Sequence, residues 1–133
     1  MNKDYVEKML EQLVQETLHG SRTWYPVASA NVENNHALSG ALEEDEWHRI
    51  RLEQSYYLPF QSGYFFLFDE WIESGRDGTI FDGLVLYIQT SIENKLVEVA
   101  RDAKQLYRLT NIIAERNDFP NDVKDFIQSF LDS

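Results

Sequence analysis

The chain has 133 residues, and 12 Lys and Arg against 23 Asp and Glu leave a formal net charge of −11. One domain is the expected organisation at this length, and 43% hydrophobic with 14% aromatic residues supplies enough apolar surface for a core, which excludes a wholly disordered acidic chain. The negative charge repels a phosphate backbone and argues against nucleic-acid binding, while zero cysteines exclude disulfides, thiolate zinc sites, iron–sulfur clusters and a cysteine nucleophile.

Charges interrupt every apolar run of the first ten residues, so neither a signal peptide nor a membrane span is expected, and a reducing cytoplasm fits the absence of cysteine. Over residues 4–18, Tyr5, Val6, Met9, Leu10, Leu13, Val14 and Leu18 gather on one side of a 3.6-residue repeat and predict an amphipathic helix. Asn2 is placed as its N-cap and Gly20 as its left-handed C-terminal cap. Residues 22–29 are rich in strand formers, but Pro26 lacks an amide donor and assigns them to a sheet edge. Residues 30–46 turn polar and predict a long surface loop with room for one helical turn, carrying the turn signals Asn34-Asn35 and Ser39-Gly40 and the acidic run Glu43 to Glu46. His48, Ile50 and Leu52 alternate with Arg49 and Arg51, as in a short strand.

Two aromatic runs between Ser55 and Phe68 flank Gln61-Ser62-Gly63 and predict a β-hairpin in which Gly63 supplies a positive φ. Glu73 to Gly78 reads as a turn, and the apolar run Gly83 to Gln89 as a central strand with both faces covered. Two readings fit residues 91–116. One is a long helix capped by Thr90 and Glu93; the other, favoured by the β-rich Leu96 to Val99, is a strand over 95–100 followed by a helix over 102–116 with Asp102 and Gln105 at its cap. Asn117-Asp118 is expected to end that helix and Pro120 to begin a last one over about 120–131. That last helix has Val123, Phe126, Ile127, Phe130 and Leu131 on one face.

The predicted fold is a single α+β domain spanning 1–133, an antiparallel β-sheet with an N-terminal helix and two C-terminal helices flanking one face. The N-terminal helix, Gly20-x-x-x-Trp24 entering a strand, the Ser-Tyr-Tyr and Gly-Tyr-Phe-Phe runs, and Gln105-Leu-Tyr-Arg-Leu-Thr-Asn-Ile-Ile before a Pro-led last helix together resemble small bacterial and prophage-type proteins of unknown function. That resemblance implies an α+β fold and brings no activity, site residue or cofactor with it.

Catalytic signatures are sparse. His19, His36 and His48 lie in unrelated contexts, and no Gly-x-Ser-x-Gly elbow positions a serine beside any of them. Glu43, Glu44, Asp45 and Glu46 with His48 present metal-type ligands but lack the ligand order of an EF-hand, so a solvated acidic loop is expected. Gly75-Arg76-Asp77-Gly78 lacks the order of a phosphate-binding loop and reads as a turn. Glu70, Glu73, Asp77 and Asp82 would serve acid–base chemistry only by converging in space. The aromatic excess points elsewhere: a hairpin with large rings on both faces calls for a second layer, a partner or a ligand. The expected function is therefore protein binding without catalysis, through a surface containing Tyr56, Tyr64, Phe66, Trp24, Trp71, Glu43 and Glu44. A basic protein, as for an immunity-type or inhibitor protein, or a homodimer mate is the expected partner. No cofactor, metal, nucleic acid or membrane is expected. The alternative is a small-ligand site or enzyme lined by Trp24, Trp71 and carboxylates between sheet and helices.

Overall fold

In the computed structural model, which describes residues 2–30, 34–116 and 121–133, the first apolar stripe forms helix α1 (Asn2–Leu18). The helix already includes Asn2, which therefore lies inside it instead of capping it. Gly20 closes α1 at φ +82°, where its own amide donates to the Thr17 carbonyl and that of Ser21 to the Glu16 carbonyl, 2.8 Å away. This Schellman pairing needs a residue without a Cβ at the left-handed position.

Among the described residues six strands follow: β1 (Tyr25–Pro26), β2 (His48–Ile50), β3 (Tyr56–Phe60), β4 (Gly63–Glu73), β5 (Ile80–Gln89) and β6 (Val97–Arg101). Every pairing is antiparallel, in the order β1-β3-β4-β5-β6. Pro26 sits in the edge strand β1, and its lack of an amide accounts for how short that strand is. Strand β4 is long enough to pair with β3 along its first half and β2 along its second. Ser55 fills the joint between those two strands: its hydroxyl donates to the Arg51 carbonyl (2.8 Å) and accepts from the Asp69 amide (3.0 Å). The strand reading of residues 95–100 corresponds to β6, displaced by one or two residues.

The hairpin forms as predicted, but its turn works differently. Gln61 takes the positive φ of 53°, and Gly63 lies outside the left-handed region. A Cβ at Gly63 would stand 2.0 Å from the Gln89 carbonyl oxygen, so what Gly63 provides is close approach of β4 to β5. Asp102 is also not a helix cap. It adopts φ 57° and accepts a hydrogen bond from the Tyr107 hydroxyl, while Gln105 is buried and donates to Glu11 of α1.

Helix α3 (Lys104–Arg116) lies beside α1 on one sheet face. Leu10, Leu13, Val14, Leu106, Leu109 and Ile113 of the two helices meet Leu58, Leu67, Leu84 and Leu86 of the sheet in the main core. The opposite face has its own layer, built from the end of the predicted edge strand and from the segment expected to be a loop with room for one helical turn. The single turn Val27–Ser29 and the short helix α2 (His36–Ala41) bring Val27 and Leu38 onto Phe66, Phe68 and Ile50. A reciprocal pair of buried amides holds α2 there: Asn35 Nδ2 donates to Gln89 Oε1 (2.7 Å), and Gln89 Nε2 donates to Asn35 Oδ1 (2.9 Å). The same Asn35 Oδ1 accepts from the Leu38 amide and caps α2. The last helix, α4 (Asn121–Leu131), completes the α+β architecture. The expected roles of Asn117, Asp118 and Pro120 fall outside the described residues.

Candidate interaction surface

The predicted stripe of α4 is present, and it faces outward. Phe126 is 76% exposed, Phe130 73% and Leu131 68%, with Val123 and Ile127 also exposed. Neither hydrophobic cluster of the protein includes a described residue of α4. Asp122, Asp125 and Asp132 accompany this apolar face. An exposed row of large side chains on one helix is an unsatisfied surface, because each would gain on the order of 1.5–3 kcal/mol from full burial.

The aromatic residues expected to form the surface distribute differently. Trp24 is buried, its indole N–H donating to Thr17 Oγ1 at 3.0 Å, and Tyr56 is buried in the same core, which raises its phenol above the ordinary range by desolvation. Phe66 is 1% exposed beneath the α2 layer, and Tyr64 is half-buried against it, ring centroids 5.5 Å apart. The expected surface role of Trp24, Tyr56 and Phe66 is thus corrected: α1 and α3 cover one side of the hairpin, and the 27–42 segment covers the other. Within the fold, the hairpin has the second layer that its rings require.

Trp71 and Glu44 do come together. They line an open groove of about 660 Å³ with Arg49, Arg51 and Asp82, in which the Arg49 guanidinium lies over the Trp71 ring at 5.5 Å. Glu43 is exposed beside Glu44. Arg51 bridges two carboxylates, at 2.7 Å from Asp69 and 2.8 Å from Asp82. Those contacts raise the Arg51 guanidinium and hold the Asp82 carboxyl below the usual range.

The carboxylates considered for acid–base chemistry do not converge. Asp82 pairs in register with Trp71, whereas Glu70 points to the opposite sheet face, as strand alternation demands. Asp77 accepts from the Thr79 amide within the turn, which lowers its carboxyl. Among the described residues no group of three or more His, Asp or Glu side chains is placed to hold a metal ion. His19 caps α1 by bonding the Gln15 carbonyl at 2.8 Å, and His36 is exposed. His48, grouped in the sequence with the acidic run Glu43 to Glu46, instead pairs with the buried Glu70 at 3.1 Å. The signal was available: Glu70 is in phase with Phe66 and Phe68 along β4, an acid on an otherwise apolar face.

No helix among the described residues is long and apolar enough to cross a membrane. No protein-family model matches the chain, and no curated protein or solved structure matches it significantly.

Proposed function

We propose that the protein acts by binding a basic protein, with the apolar face of α4 as the docking element and the surrounding acidic charge as the means of selecting and attracting the partner. The observation that carries this reading is the outward row of Phe126, Phe130 and Leu131, unaccompanied by any core residue. A partner groove that is apolar at its floor and lined with Lys and Arg at its rim matches such a helix, as in other helix-in-groove complexes. Amphipathic helices that lie on anionic membranes carry Lys and Arg on their polar face; α4 carries Asp122 and Asp125, with Asp132 directly after it, so a protein groove suits it better. An immunity-type or inhibitor role against a basic toxin or nuclease, in the cytoplasm, is the concrete form this takes. Self-association is opposed by the −11 charge on each copy.

Purified protein serves as bait in its source lysate beside the double variant Phe126→Asp/Phe130→Asp. Both positions are exposed, so the variant keeps the fold. The expected result is one basic protein that, once purified, binds the wild type at least tenfold more tightly than the variant and loses affinity as salt rises. Capture of an acidic partner, equal affinity for the variant, or a stable homodimer in sedimentation at tens of micromolar overturns the reading.

A further inference from the structure

The His48–Glu70 pair borders a cavity of about 310 Å³ between the sheet and α2, on the face opposite α1 and α3. Its walls are mostly apolar: Ala37 and Ala41 of α2, with Ile50, Phe68, Tyr87 and Leu96. Glu70 is 1% exposed. One carboxylate oxygen, Oε2, receives His48 Nε2 at 3.1 Å; the other, Oε1, is buried without a hydrogen-bond partner, the only such side-chain atom among the described residues. An ionised carboxylate only accepts hydrogen bonds, and burying one of its oxygens unsatisfied is costly, so this position favours a donor arriving from the cavity. The Phe68 and Tyr87 rings lie 5.2 Å apart, and aromatic faces attract cations. Burial, followed by hydrogen bonding to the Glu70 carboxylate, raises the Tyr87 phenol and keeps it neutral, so its hydroxyl is directed to Glu70 and its ring is what it offers a ligand. Lys95 lines the cavity but is exposed and makes no ion pair with Glu70.

We propose that this cavity binds a small primary ammonium ion bearing a short apolar or aromatic group, with Glu70 accepting from the ammonium and the Phe68 and Tyr87 rings accommodating the remainder. A buried carboxylate inside the cavity repels anions, while Lys95 of its lining is exposed to solvent. One imidazole and one carboxylate are too few ligands for a divalent metal. The volume, at the low end for small-molecule sites, suits a ligand of benzylamine size. The ammonium is carried either by a free amine or by the end of a lysine side chain.

The test compares benzylammonium with benzyl alcohol, nearly the same in shape and different in charge, by NMR titration of the whole chain at constant ionic strength. Benzylammonium is expected to bind at least tenfold more tightly, with shifts centred on His48, Glu70, Tyr87 and Leu96. Glu70→Gln is expected to bring the two affinities together. Because any cation is drawn to an acidic protein, Glu43→Gln/Glu44→Gln is the control, and its preference for benzylammonium is expected to persist. Ala41→Phe, which fills the cavity and keeps Glu70, is expected to abolish binding of both probes; this arm decides if Glu70→Gln does not fold. Binding of n-butylammonium alone assigns a free amine, and equal binding of Nα-acetyl-lysine methylamide assigns a lysine side chain. Equal affinities of benzylammonium and benzyl alcohol for the wild type, shifts centred on the 43–46 loop, or binding that appears only in Lys95→Met overturns the proposal.

Discussion

At Gly63 a single hydrogen atom decides whether two strands can meet. The Cβ of an alanine there would lie 2.0 Å from the Gln89 carbonyl oxygen and 2.8 Å from the Thr90 backbone, and backbone cannot swing aside as a flexible side chain can. Gly63→Ala is therefore expected to destabilise the protein by about 3 kcal/mol or more, at the upper end for overpacking. The drop in the denaturation midpoint in urea measures it, with Gly40→Ala as the unhindered reference, neutral to stabilising by up to about 1 kcal/mol because it lies in α2 and nothing lies within 4 Å of a Cβ there. Sequence reading finds a glycine in the right place and assigns it the wrong reason. A turn is legible from neighbouring residues, whereas an approach to Gln89, far along the chain, is not.

The elements divide in the same way between local and distant causes. Helices α1 and α3, the hairpin and the stripe of α4 are legible because periodicity and turn glycines lie within each segment. The covering role of α2 is not, since Asn34-Asn35 announces only a turn, while the clamp that uses Asn35 reaches Gln89, 54 residues away. The same gap misplaced Trp24, Tyr56 and Phe66. An aromatic strand residue declares that it will be buried without declaring by what, so core and interface look alike until the covering layers are known. Asn35→Ala removes the α2 cap and leaves Gln89 Oε1 without its donor, while Gln89 Nε2 keeps its bond to the Asn94 carbonyl (2.8 Å), for an expected loss of about 2–4 kcal/mol. Hydrogen exchange checks the mechanism: protection at the Leu38 amide should fall by more than that at Leu109 in the main core.

For the whole molecule, pH acts at both ends through opposite signs. Arg51 holds Asp82 below the usual carboxylate range, so the stability this gives is present above the ordinary value near 3.9 and fades as pH falls through the depressed native value. Tyr87 and Tyr56 are raised by burial, and Tyr107 chiefly by its hydrogen bond to Asp102. Their contribution is complete below the ordinary phenol value near 10 and disappears as pH climbs through the raised native values. Denaturation midpoints taken across the pH scale should thus fall away at both extremes. Arg51→Ala is expected to return the Asp82 carboxyl, followed by carbon-13 NMR, to the ordinary range, and Tyr87→Phe to flatten the alkaline limb.

The pairing of α1 with α3 also sets a timetable. Gln105 reaches back to Glu11 across 94 residues, and Arg116 donates to the Leu18 carbonyl across 98. At a synthesis rate of about 5–20 residues per second, Gln105 follows Glu11 from the ribosome by roughly 5–20 s. For that interval Leu10, Leu13 and Val14 have no α3 to lie against, although β3, β4 and β5 are joined by short turns and can assemble first. The nascent chain therefore carries a sticky α1 until α3 emerges, and chaperone capture during that interval is most useful at Leu10, Leu13 and Val14.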